Sequence, residues 1–208
     1  MILLFPTVNE LYGSLGKIIL NEWKYGIPCG EWRGMRVFVT GVSKTNAAFS
    51  SALIFSEIRP EEALLAGICG AYRQSGLKTG DTVSIVKDWF ADEALFLGSD
   101  IRLLSEAGVP VCQNNFTIFE KIPAAAEAVS NTVSLLSSCD SLANIYYNKT
   151  KASVENMEGA PVGLSAARFG VRAMQVRSVS NYCGDRANQE WDIKSAFRSL
   201  ASFFQRTF

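Results

Sequence analysis

The chain contains no histidine. That absence excludes Ser-His-Asp and Cys-His nucleophile systems and zinc sites built on imidazole, so acid–base work falls to carboxylates, lysine, tyrosine, cysteine or bound water. Cysteine is sparse. Cys29, Cys69, Cys112, Cys139 and Cys183 form an odd, scattered set without a CxxC pair, which argues against a disulfide framework or thiolate metal site and for reduced thiols in a cytoplasmic protein. An excess of one charge is also lacking. Twenty basic residues offset 20 acidic ones, leaving no broad field to hold a nucleic-acid polymer or an anionic membrane. Long apolar runs are missing too: Ile2-Leu3-Leu4-Phe5 is stopped by Pro6, too soon for a signal-peptide core or a membrane span, and is expected to be a strand covered on both faces. What remains is a protein whose partner is a small, specific molecule.

A chain of 208 residues with 48% hydrophobic content can bury a full core, and it reads as one domain, 1–208. Short apolar runs at 35–40, 63–68, 82–86, 132–136, 153–157 and 173–179 are expected strands. Helical spacing marks 44–58, 140–148, 160–169 and a terminal amphipathic stretch, 192–208. This alternation is that of an α/β layer architecture. The least regular part, 87–121, reads as an excursion of loops and extra strand pairs.

In open α/β sheets ligands collect where loops leave the carboxyl ends of strands, and five segments fall there. They are Pro6-Thr7-Val8-Asn9-Glu10; Thr40-Gly41-Val42-Ser43-Lys44-Thr45-Asn46-Ala47-Ala48; Gly67-Ile68-Cys69-Gly70-Ala71-Tyr72 leading to Leu77-Lys78-Thr79-Gly80-Asp81; Val154-Glu155-Asn156-Met157-Glu158-Gly159-Ala160; and Arg177-Ser178-Val179-Ser180-Asn181. In this order they resemble the superfamily of purine nucleoside phosphorylases and methylthioadenosine/adenosylhomocysteine nucleosidases. The second segment is similar to those nucleosidases' Gly-x-Gly-Lys-x-Asn-Ala-Ala turn, with Ser43 in place of the second glycine. The resemblance implies a three-layer α/β/α sandwich around a mixed, partly barrel-like sheet, no metal or organic cofactor, a small-molecule purine nucleoside as partner, and a homodimer.

Cleaving a purine from ribose makes the sugar oxocarbenium-like and leaves negative charge on the base, so both fragments need stabilising. By resemblance Glu10 matches the water-activating glutamate and Arg177 a residue that helps hold that water. On their own chemistry, Glu10 also suits a helix start and Arg177 a salt bridge beneath the sheet end. Glu158 matches the glutamate that accepts from the ribose hydroxyls, a task suited to a group with two acceptor oxygens, and Met157 the methionine packed on the sugar. Otherwise Glu158 is a helix cap and Met157 a core residue. Ile68, Cys69 and Gly70 are pocket candidates from the third segment; Tyr72, Leu142 and Ala143 are weaker ones, since apolar residues at such places usually belong to the core.

Asn181 stands where the methylthioadenosine nucleosidases carry an aspartate. Asparagine cannot protonate a leaving group, but its carbonyl can accept from a protonated ring nitrogen while its NH2 donates to a carbonyl oxygen, the pattern of a 6-oxopurine. Against adenine that NH2 would meet another donor, at a cost of about 1–3 kcal/mol. The stretch Ser180-Asn181-Tyr182-Cys183-Gly184-Asp185-Arg186 with Trp191-Asp192-Ile193 is similar to the futalosine hydrolases' Ser-Asn-x-x-Gly and Arg motif with its trailing Trp-x-Ile. Futalosine is a hypoxanthine nucleoside of menaquinone biosynthesis. Arg186 either meets the carboxylate at that substrate's far end or forms a surface ion pair. An adenine-releasing nucleosidase, and a nucleoside-binding protein without turnover, are the alternatives to a futalosine-cleaving enzyme.

Overall fold

The computed structural model describes residues 1–185, 187 and 191–208; the expectation for Arg186 lies outside the described residues. The strands are β1 (Ile2–Phe5), β2 (Asn21–Glu22), β3 (Pro28–Trp32), β4 (Met35–Val39), β5 (Glu62–Ala71), β6 (Thr82–Phe90), β7 (Ala94–Phe96), β8 (Ile101–Leu103), β9 (Phe116–Ile118), β10 (Ala126–Thr132), β11 (Val154–Asn156) and β12 (Arg172–Tyr182). The helices are α1 (Val8–Leu15), α2 (Lys44–Ile58), α3 (Asp140–Thr150), α4 (Gly159–Phe169) and α5 (Ile193–Thr207).

The main sheet runs β11-β10-β6-β12-β5-β1-β4-β3-β2, and β11 returns to pair with β5. Strands β5, β12, β6, β10 and β11 therefore close into a five-membered ring with mixed directions: β12 is parallel to β5 and antiparallel to β6, and β11 is antiparallel to β5. This is the mixed, partly barrel-like sheet that the resemblance implies.

The period of two along the strands assigns side chains to the outer layers. Ile2 and Leu4 of β1, with Ala63 and Leu65 of β5, pack in the cluster that holds Ile54 and Phe55 of α2 and Val162 and Ala166 of α4. Their neighbours Leu3, Phe5, Leu64 and Ala66 face Leu11 of α1 and Leu200, Phe203 and Phe204 of α5. Each fully buried Leu or Phe here contributes about 2–3 kcal/mol relative to exposure. A third cluster joins α3, through Ala143 and Tyr146, to Tyr72, Val133 and Cys183 at one end of the ring.

Helix α2 has the expected span. The strands expected at 63–68, 82–86 and 173–179 are present and extend further, as β5, β6 and β12. The excursion 87–121 holds the β7–β8 pair and β9, which joins β6. One expectation is displaced: the strand at 132–136 is β10, Ala126–Thr132, and the residues after it leave the sheet as a loop. The displacement has a physical reason. Ser130, Asn131 and Thr132 are fully buried in side-chain hydrogen bonds, so the carboxyl half of the strand reads as polar, whereas the apolar Val133, Leu135 and Leu136 belong to the loop. Helix α1 and the strands β2 and β3 were not expected from periodicity.

Ser43 begins α2 with φ 91 and ψ 157, and its hydroxyl accepts from the Asn46 N–H at 3.5 Å. That backbone region is essentially reserved for glycine and costs other residues about 1–3 kcal/mol. It is the position at which the related turn carries a glycine. Ser43→Gly is expected to raise unfolding stability, because losing the cap to glycine costs only a few tenths of a kcal/mol; a lower denaturant midpoint for the variant would contradict this.

Candidate functional site

At the carboxyl ends of β1, β5, β11 and β12 lies a cavity of about 630 Å³. Glu10, Met157, Glu158, Ile68, Cys69, Gly70 and Asn181 all line it. Of the sequence candidates, Leu142 and Ala143 do not. They sit on α3, where Leu142 borders a separate depression beside Phe96 and Asn148 and Ala143 is packed in the third cluster. Tyr72 is buried behind the wall. Arg177 is also set back from the surface of the cavity, with no solvent exposure at all.

Glu10 is fixed from two sides. Thr7 caps α1: its hydroxyl accepts from the Glu10 N–H at 3.1 Å and donates to Glu10 Oε2 at 2.7 Å. The Ile68 N–H donates to Glu10 Oε1 at 3.0 Å, tying α1 to β5. Glu10 is thus both a first-turn residue and a cavity residue. Burial, and then the neighbouring Glu158 carboxylate, push its pKa upward; the Thr7 hydroxyl, the Ile68 N–H and Arg177 act against them. A carboxylate of raised basicity beside a cavity is suited to take a proton from water.

Glu158 occupies the N-cap position of α4, yet its side chain caps nothing. Asn156 does that work, its Oδ1 accepting from the N–H groups of Glu158 and Gly159 at 2.8 and 2.7 Å. The Glu158 carboxylate is released to accept from Ser43 N–H at 3.4 Å and from Arg177 Nη1 at 3.2 Å. Arg177 also donates to the Ile68 carbonyl at 3.3 Å and to Asn156 Oδ1 at 3.1 Å. Gly67 makes room for the assembly, because a Cβ there would stand 2.6 Å from Arg177 Nη1 and 2.7 Å from Glu10 Oε1.

Asn181 reaches the cavity through an irregularity. The register of β12 against β5 shifts between Val179 and Asn181, and such a bulge breaks strict alternation, so Ser180 and Asn181 both face the cavity. The Asn181 amide lies over Gly70; its Oδ1 accepts from the Ser180 hydroxyl at 2.9 Å.

Beneath these groups lies a carboxylate that sequence reasoning did not single out. Asp88, fully buried, accepts from Thr132 Oγ1, Asn156 Nδ2 and Gln175 Nε2 at 2.8, 2.9 and 3.1 Å, holding the asparagine that holds Glu158 and Arg177. Two further wall residues were missed, Glu155 and Ser137. Burial raises the pKa of Glu155 against the hydrogen bonds from Ser137 and Tyr72. The signal available for Glu155 was its place within the fourth segment; Ser137 lies one residue past the strand expected at 132–136 and belongs to none of the five segments. Among the described residues no group of three or more His, Cys, Asp or Glu could hold a metal ion.

Residues 27–206 match the phosphorylase superfamily, and the chain belongs to it. More particularly, it is similar to the futalosine hydrolase of Thermus thermophilus, with 31% identity over 84% of this chain and 84% of that one. It is 23% identical to a 5'-methylthioadenosine/S-adenosylhomocysteine nucleosidase from Exiguobacterium, over 88% of this chain and 82% of the relative. Among solved structures, a mutant MTAN of Helicobacter pylori with 5'-methylthioadenosine in its active site has the same fold, with a TM-score of 0.80, 17% identity and coverage of 99% of this chain and 96% of that one.

Burial raises the Asp88 pKa from 3.8 to about 6, so the folded chain holds this proton more tightly than the unfolded chain does. The associated stability is fully present below the unfolded value and is lost as pH rises through the folded one, a fall of about 3 kcal/mol. Urea unfolding followed between pH 4 and 7 is expected to show stability falling with pH, and Asp88→Asn to have a shallower slope whatever its constant offset. Equal slopes would contradict the shift.

Proposed function

We propose that this chain hydrolyses the N-glycosidic bond of purine nucleosides, and that its substrate is a 6-oxopurine nucleoside, futalosine, giving hypoxanthine and dehypoxanthine futalosine in menaquinone biosynthesis. The observation that carries this reading is the convergence of Glu10, Glu158 and Asn181 on one cavity. Water adds across the C–N bond, its hydroxyl to the anomeric carbon and its proton to the base. Glu10, held by Thr7 and the Ile68 N–H, orients the water and takes its proton. Glu158 accepts from the ribose hydroxyls, with Arg177 Nη1 holding its carboxylate in place, and Met157 packs on the sugar. Ile68, Cys69 and Gly70 form the floor under the base, and Asn181 reads its edge.

Hydrolysis is favoured over phosphorolysis because the first loop brings a carboxylate, not an arginine or a glycine-rich turn, to the point where phosphate would need positive charge. Futalosine is favoured over methylthioadenosine by the amide at 181 and by the 31% identity to the Thermus enzyme against 23% to the Exiguobacterium one. We also read the protein as a cytoplasmic homodimer. The described cysteines are all free, no described helix is long and apolar enough to cross a membrane, and Leu95, Phe96, Leu97 and Ile118 form exposed apolar surface on the excursion.

Futalosine and methylthioadenosine assayed side by side, scoring free hypoxanthine against free adenine, are expected to favour futalosine; preferential adenine release would assign the nucleosidase reading instead. Formation of a ribose 1-phosphate product on adding phosphate would overturn hydrolysis. Glu10→Gln is expected to lose about 100-fold to 10,000-fold in turnover while still binding the nucleoside. A wild-type protein that binds without turnover would be a binding module.

A further inference from the structure

Glu155 is a buried carboxylate of the cavity wall for which the scheme above has no task. Its surroundings define it narrowly. Ser137 N–H donates to Oε1 at 2.9 Å; the Ser137 hydroxyl and the Tyr72 hydroxyl donate to Oε2 at 2.5 and 2.9 Å. The Tyr72 oxygen is occupied as an acceptor by Asn131 Nδ2 at 3.0 Å, which leaves its proton for Glu155. Three donors thus face one carboxylate and fix it as an acceptor. A carboxylate has about four acceptor sites; the two on Oε2 are filled, and Oε1 keeps one.

The placement of Glu155 matters as much as its bonding. In β5, Gly70 has Glu155 as its register partner on one side and Asn181 on the other. Neighbouring strands are about 4.8 Å apart, so the two flanking backbones bracket at most about 10 Å across Gly70. That is room for a bicyclic base hydrogen-bonded at both edges.

We infer that Glu155 is a specificity-determining residue: its Oε1 accepts the ring N–H that a 6-oxopurine presents at the edge remote from Asn181, and it repels the ring-nitrogen lone pair that adenine presents there. This inference rests on the purine-nucleosidase reading of the cavity and deepens it. Asn181 and Glu155 would then discriminate independently, one at the exocyclic oxygen and the five-membered ring, the other at the six-membered ring's N–H.

The test uses two nucleosides that differ only at the purine C6 substituent, futalosine and its 6-amino counterpart. In Glu155→Gln the ratio of kcat/KM for the 6-oxo over the 6-amino nucleoside is expected to fall about tenfold or more. In Ser137→Ala, which keeps the charge and removes only a hydroxyl donor, the ratio is expected to hold. If Glu155→Gln slows both nucleosides equally, the carboxylate only fixes the Ser137 loop and the inference is overturned. A second measurement needs no variant. Hypoxanthine and its 1-deaza analogue, in which C–H replaces the ring N–H, are compared as product inhibitors of the wild type; the analogue is expected to bind about tenfold more weakly, and equal inhibition overturns the inference. A wild type that cleaves neither nucleoside would instead count against the nucleosidase reading itself.

Discussion

The ion pair between Arg177 and Glu158 is the interaction around which the cavity is arranged. A guanidinium with no exposure is tolerable only beside a compensating charge and with its protons directed to acceptors. The structure supplies these from three groups, the Glu158 carboxylate, the Ile68 carbonyl and the Asn156 side chain, and the absence of a side chain at Gly67 leaves room for them. With Arg177 itself on β12, these groups lie on β5, on β11 and at the start of α4, so those elements must dock together for the charge to be neutralised. The same requirement reaches α2, because the Ser43 N–H that touches Glu158 belongs to the residue with the unfavourable backbone geometry. Local strain and a buried charge are thus two sides of one arrangement, in which a carboxylate is held firmly at the wall of a solvent-accessible cavity.

Much of this was legible in the sequence, for identifiable reasons. Apolar runs such as 63–68 and 173–179 read as strands because both faces of those strands are covered, and α2 because its span lacks breakers until the turn that follows it. The cavity residues at 10, 158 and 181 were legible through the segments that carry them, and their convergence follows from β1, β11 and β12 each pairing with β5. What escaped the reading was polar and buried. The strand β10 was displaced because its inner half is Ser130-Asn131-Thr132, residues that serve hydrogen bonding in the ring and carry no apolar signature. Asp88 and Glu155 were passed over for the same reason: a lone acidic residue in a sequence is indistinguishable from a surface charge until its donors are known. Leu142 and Ala143 differ in the opposite sense: they are apolar residues after a serine-rich stretch, and they lie on α3, away from the cavity.

The division of capping labour in the Glu158 segment shows how a cavity side chain is spared the capping task. A helix start needs acceptors for its exposed N–H groups, and the residue at the cap usually supplies one. Here the amide two positions earlier supplies it and is itself held by Asp88 and Ser130, so the carboxylate at the cap position is free to pair with Arg177 at the cavity wall. The bulge in β12 achieves a comparable result by another route, since the extra residue places two successive side chains, Ser180 and Asn181, on the same side. The cavity is therefore assembled from departures from regular secondary structure, set on a regular frame.

The absence of a side chain at Gly159 has a consequence of a different kind. A Cβ at that position would collide with the Asp88 carboxylate and the Gln175 amide, so residues 88, 159 and 175, though distant along the chain, form one interlocking set. Fragments of related proteins are consequently not freely interchangeable across this region. A hybrid taking β6 from this protein and the start of α4 from a relative with a larger residue at the glycine would bring a methyl group against a buried acid. Anyone grafting the cavity onto another scaffold has to carry these three positions together.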